Sequence, residues 1–372
     1  MKILHITKKY PEALGGDAVV VYNLEKQQEK IGHKVSIVTS NCSGIKNKEN
    51  VFKFGLKDIA PNLDKITIRR VMSLIILFFW GLKRLGKLYP DIIHSHSADL
   101  GFFISFPAGL YHIPVVNTCH SVTFPDKQYG FMKRFAEIFF LKYGRFKRII
   151  TVDKSSLESF KEAGINNVIY IPNGVDTERF DRQKQKFEKR GDQKIIFLFA
   201  GRLENEKGLK YLFHAVRILK DRTKNFKFLI VGDSSQRNAF KNLAKNLGIE
   251  EYIFFMGKVD TDKIIKIYHN SDVFVLPSIH EGLPLTLLEA WAARLPVVTT
   301  NVGGIPEICV NRENALIVPP KDPEALADAM IEILEDGMLA KKMGKNGRKL
   351  VEEKYTWEKI AEKTEKVYER LI

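Results

Sequence analysis

Short β-branched apolar runs alternate with longer amphipathic runs through most of the chain. KILHIT at residues 2–7 reads as a buried strand, AVVVYNLEKQQEKIG as a helix and HKVSIVTS as a second strand. That order is a βαβ unit, which makes the strands parallel. DIIHSHS, IPVVNTCHSVTFP, IITVDKSS and NNVIYIP continue the strand series. ITIRRV reads as a strand-like piece, and Val71 to Leu88 as a helix with basic flanks. The pattern breaks at Asn173-Gly174, a turn signal, and at the basic polar segment that follows. It then restarts with KIIFLFAG, RLENEKG, LKYLFHAVRILKDR and KFLIVGD as strand, loop, helix and strand. The prediction is an α/β protein of two Rossmann-like domains, 1–172 and 173–355, with a helical tail at 356–372. A chain of 372 residues is long enough for two cores.

The stretch from Pro277 to Pro306 carries the densest chemical signal. DVFVLPS reads as a buried strand that stops at Pro277, and His280-Glu281-Gly282 as a loop. Pro284 suits the first turn of the helix LTLLEAWAA, which is apolar nearly all round. Glu289 interrupts that apolar run and requires a partner, because an unpaired buried carboxylate costs several kcal/mol. Glu281 stands eight residues earlier, at the strand's C-terminal end, the edge where open α/β sheets bind ligands. The plain structural alternative is that Glu281 caps the helix and Glu289 meets a structural Arg.

Three further places have candidate chemistry. Gly15-Gly16 lies in the first βα turn; it is not a GxGxxG fingerprint, yet it opens a helix whose N–H groups suit a phosphate. Paired glycines also occur in ordinary turns. His120 falls just past a strand end, although a lone histidine is more often structural. Arg202 and Lys207 bracket a βα loop at a helix start, where the dipole disfavours cations unless an anion joins them. An Arg fork and a Lys point charge suit a diphosphate; two solvated cations are the alternative.

Composition excludes several classes. Cys42, Cys119 and Cys309 are widely spaced with no CxxC, against a disulfide framework or zinc ribbon. The cations Arg202 and Lys207 can take the place of a metal's charge, so no metal is expected, and no cofactor. The run VMSLIILFFWGL is shorter than the roughly 20 residues of a membrane span. The opening residues read as a strand with no signal-peptide core, and a cytoplasmic location is expected. The net charge of +15 is uneven: residues 1–172 hold +11 and residues 173–372 hold +4. No nucleic-acid-reading motif accompanies it. Arg69, Arg70, Lys83, Arg84 and Lys87 flank the apolar run, and Lys133, Arg134, Lys142, Arg145, Lys147 and Arg148 are interleaved with Phe135 to Leu141. This predicts an anionic membrane surface as partner, at or on which the acceptor is presented; ordinary core and surface helices are the alternative.

The stretch EGLPLTLLE resembles the E-x7-E motif of retaining GT-B glycosyltransferases, the family 4-like group 1 enzymes. LPVVTTNVGGIPEI resembles that family's continuation, IPNGVD its interdomain linker, and GRLENEKG its G-R-x4-K-G motif. Arg294 stands where the family often has Gly. The resemblance implies two Rossmann-like domains facing across a cleft, the first on the acceptor side, with the last helix packed back on it. It implies metal-independent transfer of a sugar from a UDP- or GDP-sugar to a glycan or lipid-linked acceptor. Arg202 and Lys207 would hold the diphosphate with N–H groups at Gly15, Gly16, Leu285 and Thr286. Glu281, with Gly282, Leu283 and Pro284, would lie near the sugar, Glu289 would hold the ribose hydroxyls, and His120 would contact the sugar. A nucleotide-sugar epimerase of the same architecture is the alternative.

Overall fold

The computed structural model describes residues 1–10, 16–40, 49–55, 68–125, 130–181 and 194–372, with the backbone alone at 68–70 and 261. Gly15, Cys42 and much of the basic segment after Asp181 lie outside the described residues. The chain divides into one unit of Met1–Asn173 with Trp357–Ile372 and a second of Gly174–Thr356.

The first unit runs β1 (Lys2–Thr7), α1 (Gly16–Lys30), β2 (Lys34–Ser40), β3 (Val51–Phe54), α2 (Ile68–Leu88), β4 (Ile92–Ser95), α3 (Ala98–Leu110), β5 (Val115–Cys119), α4 (Phe131–Tyr143), β6 (Arg148–Thr151), α5 (Ser156–Glu162) and β7 (Val168–Tyr170). The seven strands are parallel in the order β3-β2-β1-β4-β5-β6-β7. The side chains of the central strands β1, β4 and β5 are buried on both faces, as a sheet covered by helices requires, while the edge strands β3 and β7 are half-buried. Strand order reverses at β1, so the C-terminal ends of β1 and β4 open a crevice suited to a ligand.

The second unit runs β8 (Ile195–Ala200), α6 (Leu209–Arg222), β9 (Phe226–Val231), α7 (Arg237–Asn246), β10 (Ile253–Gly257), α8 (Thr261–His269), β11 (Val273–Leu276), α9 (Leu285–Ala292), β12 (Val297–Thr300), β13 (Leu316–Val318), α10 (Pro323–Glu335) and α11 (Gly337–Lys354). Its six parallel strands are ordered β10-β9-β8-β11-β12-β13, with the reversal at β8 and β11. The final helix α12 (Trp357–Glu369) belongs to the first unit. It packs on α1 through Gln27 to Glu358 at 3.1 Å and Gln28 to Tyr368 at 3.4 Å, and on the turn after α1 through His33 to Glu365 at 2.7 Å.

One element differs from the sequence expectation. Ile68 to Val71 of ITIRRV is the start of α2, not strand. The period explains it: Leu74, Leu77, Gly81 and Leu85 are buried three or four apart, while Ile75, Ile76 and Phe79 are exposed. Gly81 lets α2 approach α3 closely, since a Cβ there would sit 2.7 Å from Ile104 and 2.8 Å from Pro107. Burial of that one face outweighs the β preference of its Ile and Val residues.

Candidate active site

In the second unit, the turns after β8 and β11 lie against each other. Gly208 has φ +69, and a Cβ there would stand 1.8 Å from the Pro277 carbonyl oxygen. The short helical turn Asn205–Lys207 is tied across by Ile279 N–H donating to the Glu206 carbonyl at 2.8 Å. This contact brings Lys207 to Glu281, with Nζ 2.6 Å from Oε1. The same Oε1 accepts from the Ser278 hydroxyl at 2.7 Å. Both partners are mostly shielded from water, which strengthens their attraction relative to a surface pair. From the other side, Gly303 at φ +55 presses on the Glu281 carbonyl, leaving 1.8 Å for a Cβ. Gly304 N–H donates to the Gly282 carbonyl at 3.0 Å, and the Thr300 hydroxyl to that of Ser278 at 2.5 Å. The Glu281 loop is therefore held by its backbone as well as by its charge.

Glu281 does not cap α9. Pro284 occupies the N-cap with no side-chain cap bond, so the first-turn N–H groups at Leu285 and Thr286 lack the usual side-chain acceptor. Gly282, Leu283 and Pro284 are buried and form the floor of this turn. Glu289 lies one further turn along the helix. Its partner is the hydroxyl of Tyr268 on α8, which donates to Oε2 at 2.8 Å, rather than a direct Arg contact. Burial raises the Glu289 carboxyl to about 7; the Tyr268 hydrogen bond and the charge of Arg179 oppose that rise. Arg202 is largely exposed, and its guanidinium is shared by Glu204 at 3.0 Å and Glu206 at 2.7 Å. The anion expected beside this cation is thus supplied, in part, by its own loop.

In the first unit, Gly16 opens α1 and His120 follows β5. His120 is not isolated. Its Nε2 lies 3.2 Å from His96 Nδ1, and the two rings stack at 5.4 Å. His96 Nε2 lies 2.9 Å from His5 Nδ1, and His5 Nε2 lies 2.7 Å from Gln28 Oε1. His94 bonds Tyr368 at 2.5 Å and Thr118 at 2.7 Å. Burial lowers His5 to about 4, and lowers His94, His96 and His120 below the usual imidazole range. All four rings are neutral at pH 7. The loop after His120 is fixed by Glu137 of α4, whose Oε2 accepts from Thr123 N–H, the Thr123 hydroxyl and Phe124 N–H at 2.6–2.9 Å. His5, His94 and His96 also place three ring nitrogens within 4.8 Å of one another, a spacing compatible with a metal ion.

Sequence reasoning missed Tyr268, Ser278, Gln28 and His5, and named neither His94 nor His96 as a site residue. The HSH triplet at a strand end was the signal for the last two.

Residues 14–179 match the model of Glycosyltransferase Family 4, and residues 180–350 match Glycosyl transferases group 1. An uncharacterised glycosyltransferase of Methanocaldococcus jannaschii is 30% identical over 99% of this chain and 98% of its own. This chain belongs to the group 1 glycosyltransferases. As such it is a transferase enzyme. The glycosyltransferase is also 29% identical, over 81% of its length and 80% of the relative's, to the UDP-Gal:α-D-GlcNAc-diphosphoundecaprenol α-1,3-galactosyltransferase of Escherichia coli. Among solved structures, the sucrose-phosphate synthase of Thermosynechococcus elongatus superposes with a TM-score of 0.84 at 22% identity, covering 100% of this chain and 98% of that one. The two parallel α/β units of the glycosyltransferase are those of the GT-B fold.

Proposed function

We propose that this glycosyltransferase moves a sugar from a UDP- or GDP-sugar to a glycan or lipid-linked acceptor, with retention and without a metal ion. The observation that carries this reading is the convergence at one switch point of the Lys207–Glu281 pair, the uncapped start of α9 and Glu289. The bond from the anomeric carbon to the diphosphate oxygen breaks, and one from the acceptor oxygen forms on the same face. The acceptor's proton passes to the departing diphosphate. Lys207, Arg202 and the N–H groups of Leu285 and Thr286 offset the charge that builds on that leaving group. Glu281 holds sugar hydroxyls and opposes the cationic ring. Glu289 accepts from the ribose hydroxyls, and His120 is assigned to the donor sugar. A related enzyme is named for UDP-Gal, which favours a UDP-sugar here. The relatives described above are transferases, which favours transfer over epimerisation.

Thermal shift against UDP-, GDP- and ADP-sugars tests the donor. A ligand at 100 times its Kd adds about 2.7 kcal/mol of stability. Turnover with the stabilising donor should continue in EDTA and give an α-product from an α-donor. No stabilisation by any nucleotide sugar, or loss of turnover restored by Mn²⁺ or Mg²⁺, would overturn the assignment.

An acidic lipid surface is proposed as the place of the acceptor. Phe131, Met132, Phe135, Phe139 and Tyr143 of α4 are exposed, with Phe131 at 74%. Val71, Met72, Ile75 and Phe79 of α2 are exposed as well. Both helices pack on α3, where Phe102 meets Phe139 and Phe140. Lys83, Arg84, Lys87, Lys133 and Lys142 are exposed beside these apolar side chains. No described helix is long and apolar enough to cross a membrane, so binding would be peripheral. Flotation with acidic vesicles at low salt, lost at high salt and weakened by Lys83→Glu with Arg84→Glu, is the expected result. Failure to float with acidic vesicles would reject the surface and leave the transfer reaction standing.

A further inference from the structure

We propose that Gln28, His5 and His96 are positioning residues that set which ring nitrogen of His120 carries its proton. The consequence for catalysis rests on the reading of His120 as a contact to the donor sugar.

A neutral imidazole has one donor and one acceptor nitrogen. A line of neutral rings bonded nitrogen to nitrogen therefore has two allowed senses, and whatever anchors one end decides between them. The low proton affinity that burial imposes keeps these rings neutral. Gln28 is buried on α1 and is the anchor. Its Oε1 faces His5 Nε2, so that nitrogen must bear hydrogen. His5 Nδ1 is then an acceptor, and His96 Nε2–H donates to it at 2.9 Å. His96 Nδ1 in turn accepts from His120 Nε2–H at 3.2 Å. His120 is left with Nδ1 as a bare lone pair, an acceptor for a sugar hydroxyl.

The other half of the Gln28 amide agrees. Its Nε2 donates to the Tyr368 hydroxyl at 3.4 Å, which donates to His94 Nδ1 at 2.5 Å. His94 Nε2–H then donates to the Thr118 hydroxyl at 2.7 Å. One amide orientation thus satisfies both arms, with every ring in the same Nε2–H form. The same bookkeeping accounts for the three clustered nitrogens of His5, His94 and His96. Each ring's two nitrogens are engaged in this network, and protons occupy the place a metal would take. The strand order makes this possible: His5 and His94 are register partners on β1 and β4, and His96 N–H donates to the Ile6 carbonyl at the switch point.

Long-range ¹H–¹⁵N correlation spectra of protein labelled at histidine read each ring's tautomer directly. The expected wild-type result is Nε2–H at His5, His96 and His120. Gln28→Met removes the anchor, so His120 should become a mixture of tautomers, with kcat falling about tenfold and the donor Kd changing less than threefold. Gln28→Glu still accepts from His5 Nε2–H and should restore the His120 tautomer and most of kcat. His120 as Nδ1–H in the wild type, an unchanged tautomer in Gln28→Met, or stoichiometric metal in the purified protein would overturn the proposal. Wild-type spectra need no variant to fold. Full activity in His120→Ala would instead refute the sugar contact, while the tautomer assignment would stand or fall on the spectra.

Discussion

Donor affinity should depend on pH through Glu289. Burial holds its carboxyl near 7 in place of the usual 4.5. A protonated carboxyl accepts one strong hydrogen bond, whereas an ionised one accepts from both ribose hydroxyls. Only the ionised fraction then binds fully. With a midpoint near 7, that fraction is about one tenth at pH 6 and about nine tenths at pH 8, since one pH unit is a factor of ten. Affinity should therefore rise about tenfold between those values, or about 1.4 kcal/mol. The sign follows from linkage: binding favours the ionised form, so the site releases a proton and binds more tightly as pH rises. For the same reason the ligand-free fold loses this group's stabilisation as pH climbs from 4.5 through 7.

The assay is calorimetric titration with a nucleotide sugar rather than the free diphosphate, because a diphosphate esterified at both ends has no proton to lose in this range. Proton release at pH 7, measured in two buffers of different ionisation enthalpy, checks the linkage independently. Glu289→Gln should bind about equally at pH 6 and 8. Tyr268→Phe removes a bond that favours the carboxylate, and should move the midpoint upward by about one unit. An unchanged Kd between pH 6 and 8 in the wild type, or the same slope in Glu289→Gln, would refute the reasoning.

Glu281→Gln should lower kcat about 100-fold or more, while releasing Lys207 and leaving UDP affinity equal or tighter; unchanged kcat would remove Glu281 from the chemistry. Lys207→Ala should weaken UDP by roughly 1.5–3 kcal/mol and uridine far less. Arg202→Ala should do the same to a smaller extent, because Glu204 and Glu206 already share its guanidinium; equal losses for UDP and uridine would separate both cations from the phosphates. Gly208→Ala should destabilise the second unit by about 3 kcal/mol or more in thermal unfolding, since neither its φ of +69 nor the 1.8 Å gap to Pro277 admits a methyl group.

The two carboxylates were legible because their spacing is local. Eight residues carry the chain from a strand end through one loop to the second turn of a helix, and EGLPLTLLE encodes each step. Their partners were not legible, because each comes from another element. Lys207 is 74 residues from Glu281 and reaches it only when β8 and β11 lie side by side. Tyr268 reads as one more core aromatic of an amphipathic helix, and nothing local distinguishes its hydroxyl. ITIRRV misled because β propensity is a local average, while the α2 face is selected by what covers it. Arg294 shows the converse. Its φ of +61 is a conformation glycine adopts more readily, yet the arginine that stands there lies 3.7 Å from Asp181. The histidine cluster was hidden by the most general cause. β1, β4 and β5 are adjacent in the sheet, yet the first ends at Thr7 while the others begin at Ile92 and Val115. His5 within β1, His96 just past β4 and His120 just past β5 look unrelated until that order is known. Position at a switch point, rather than any motif, is what turns three solitary histidines into one line of protons.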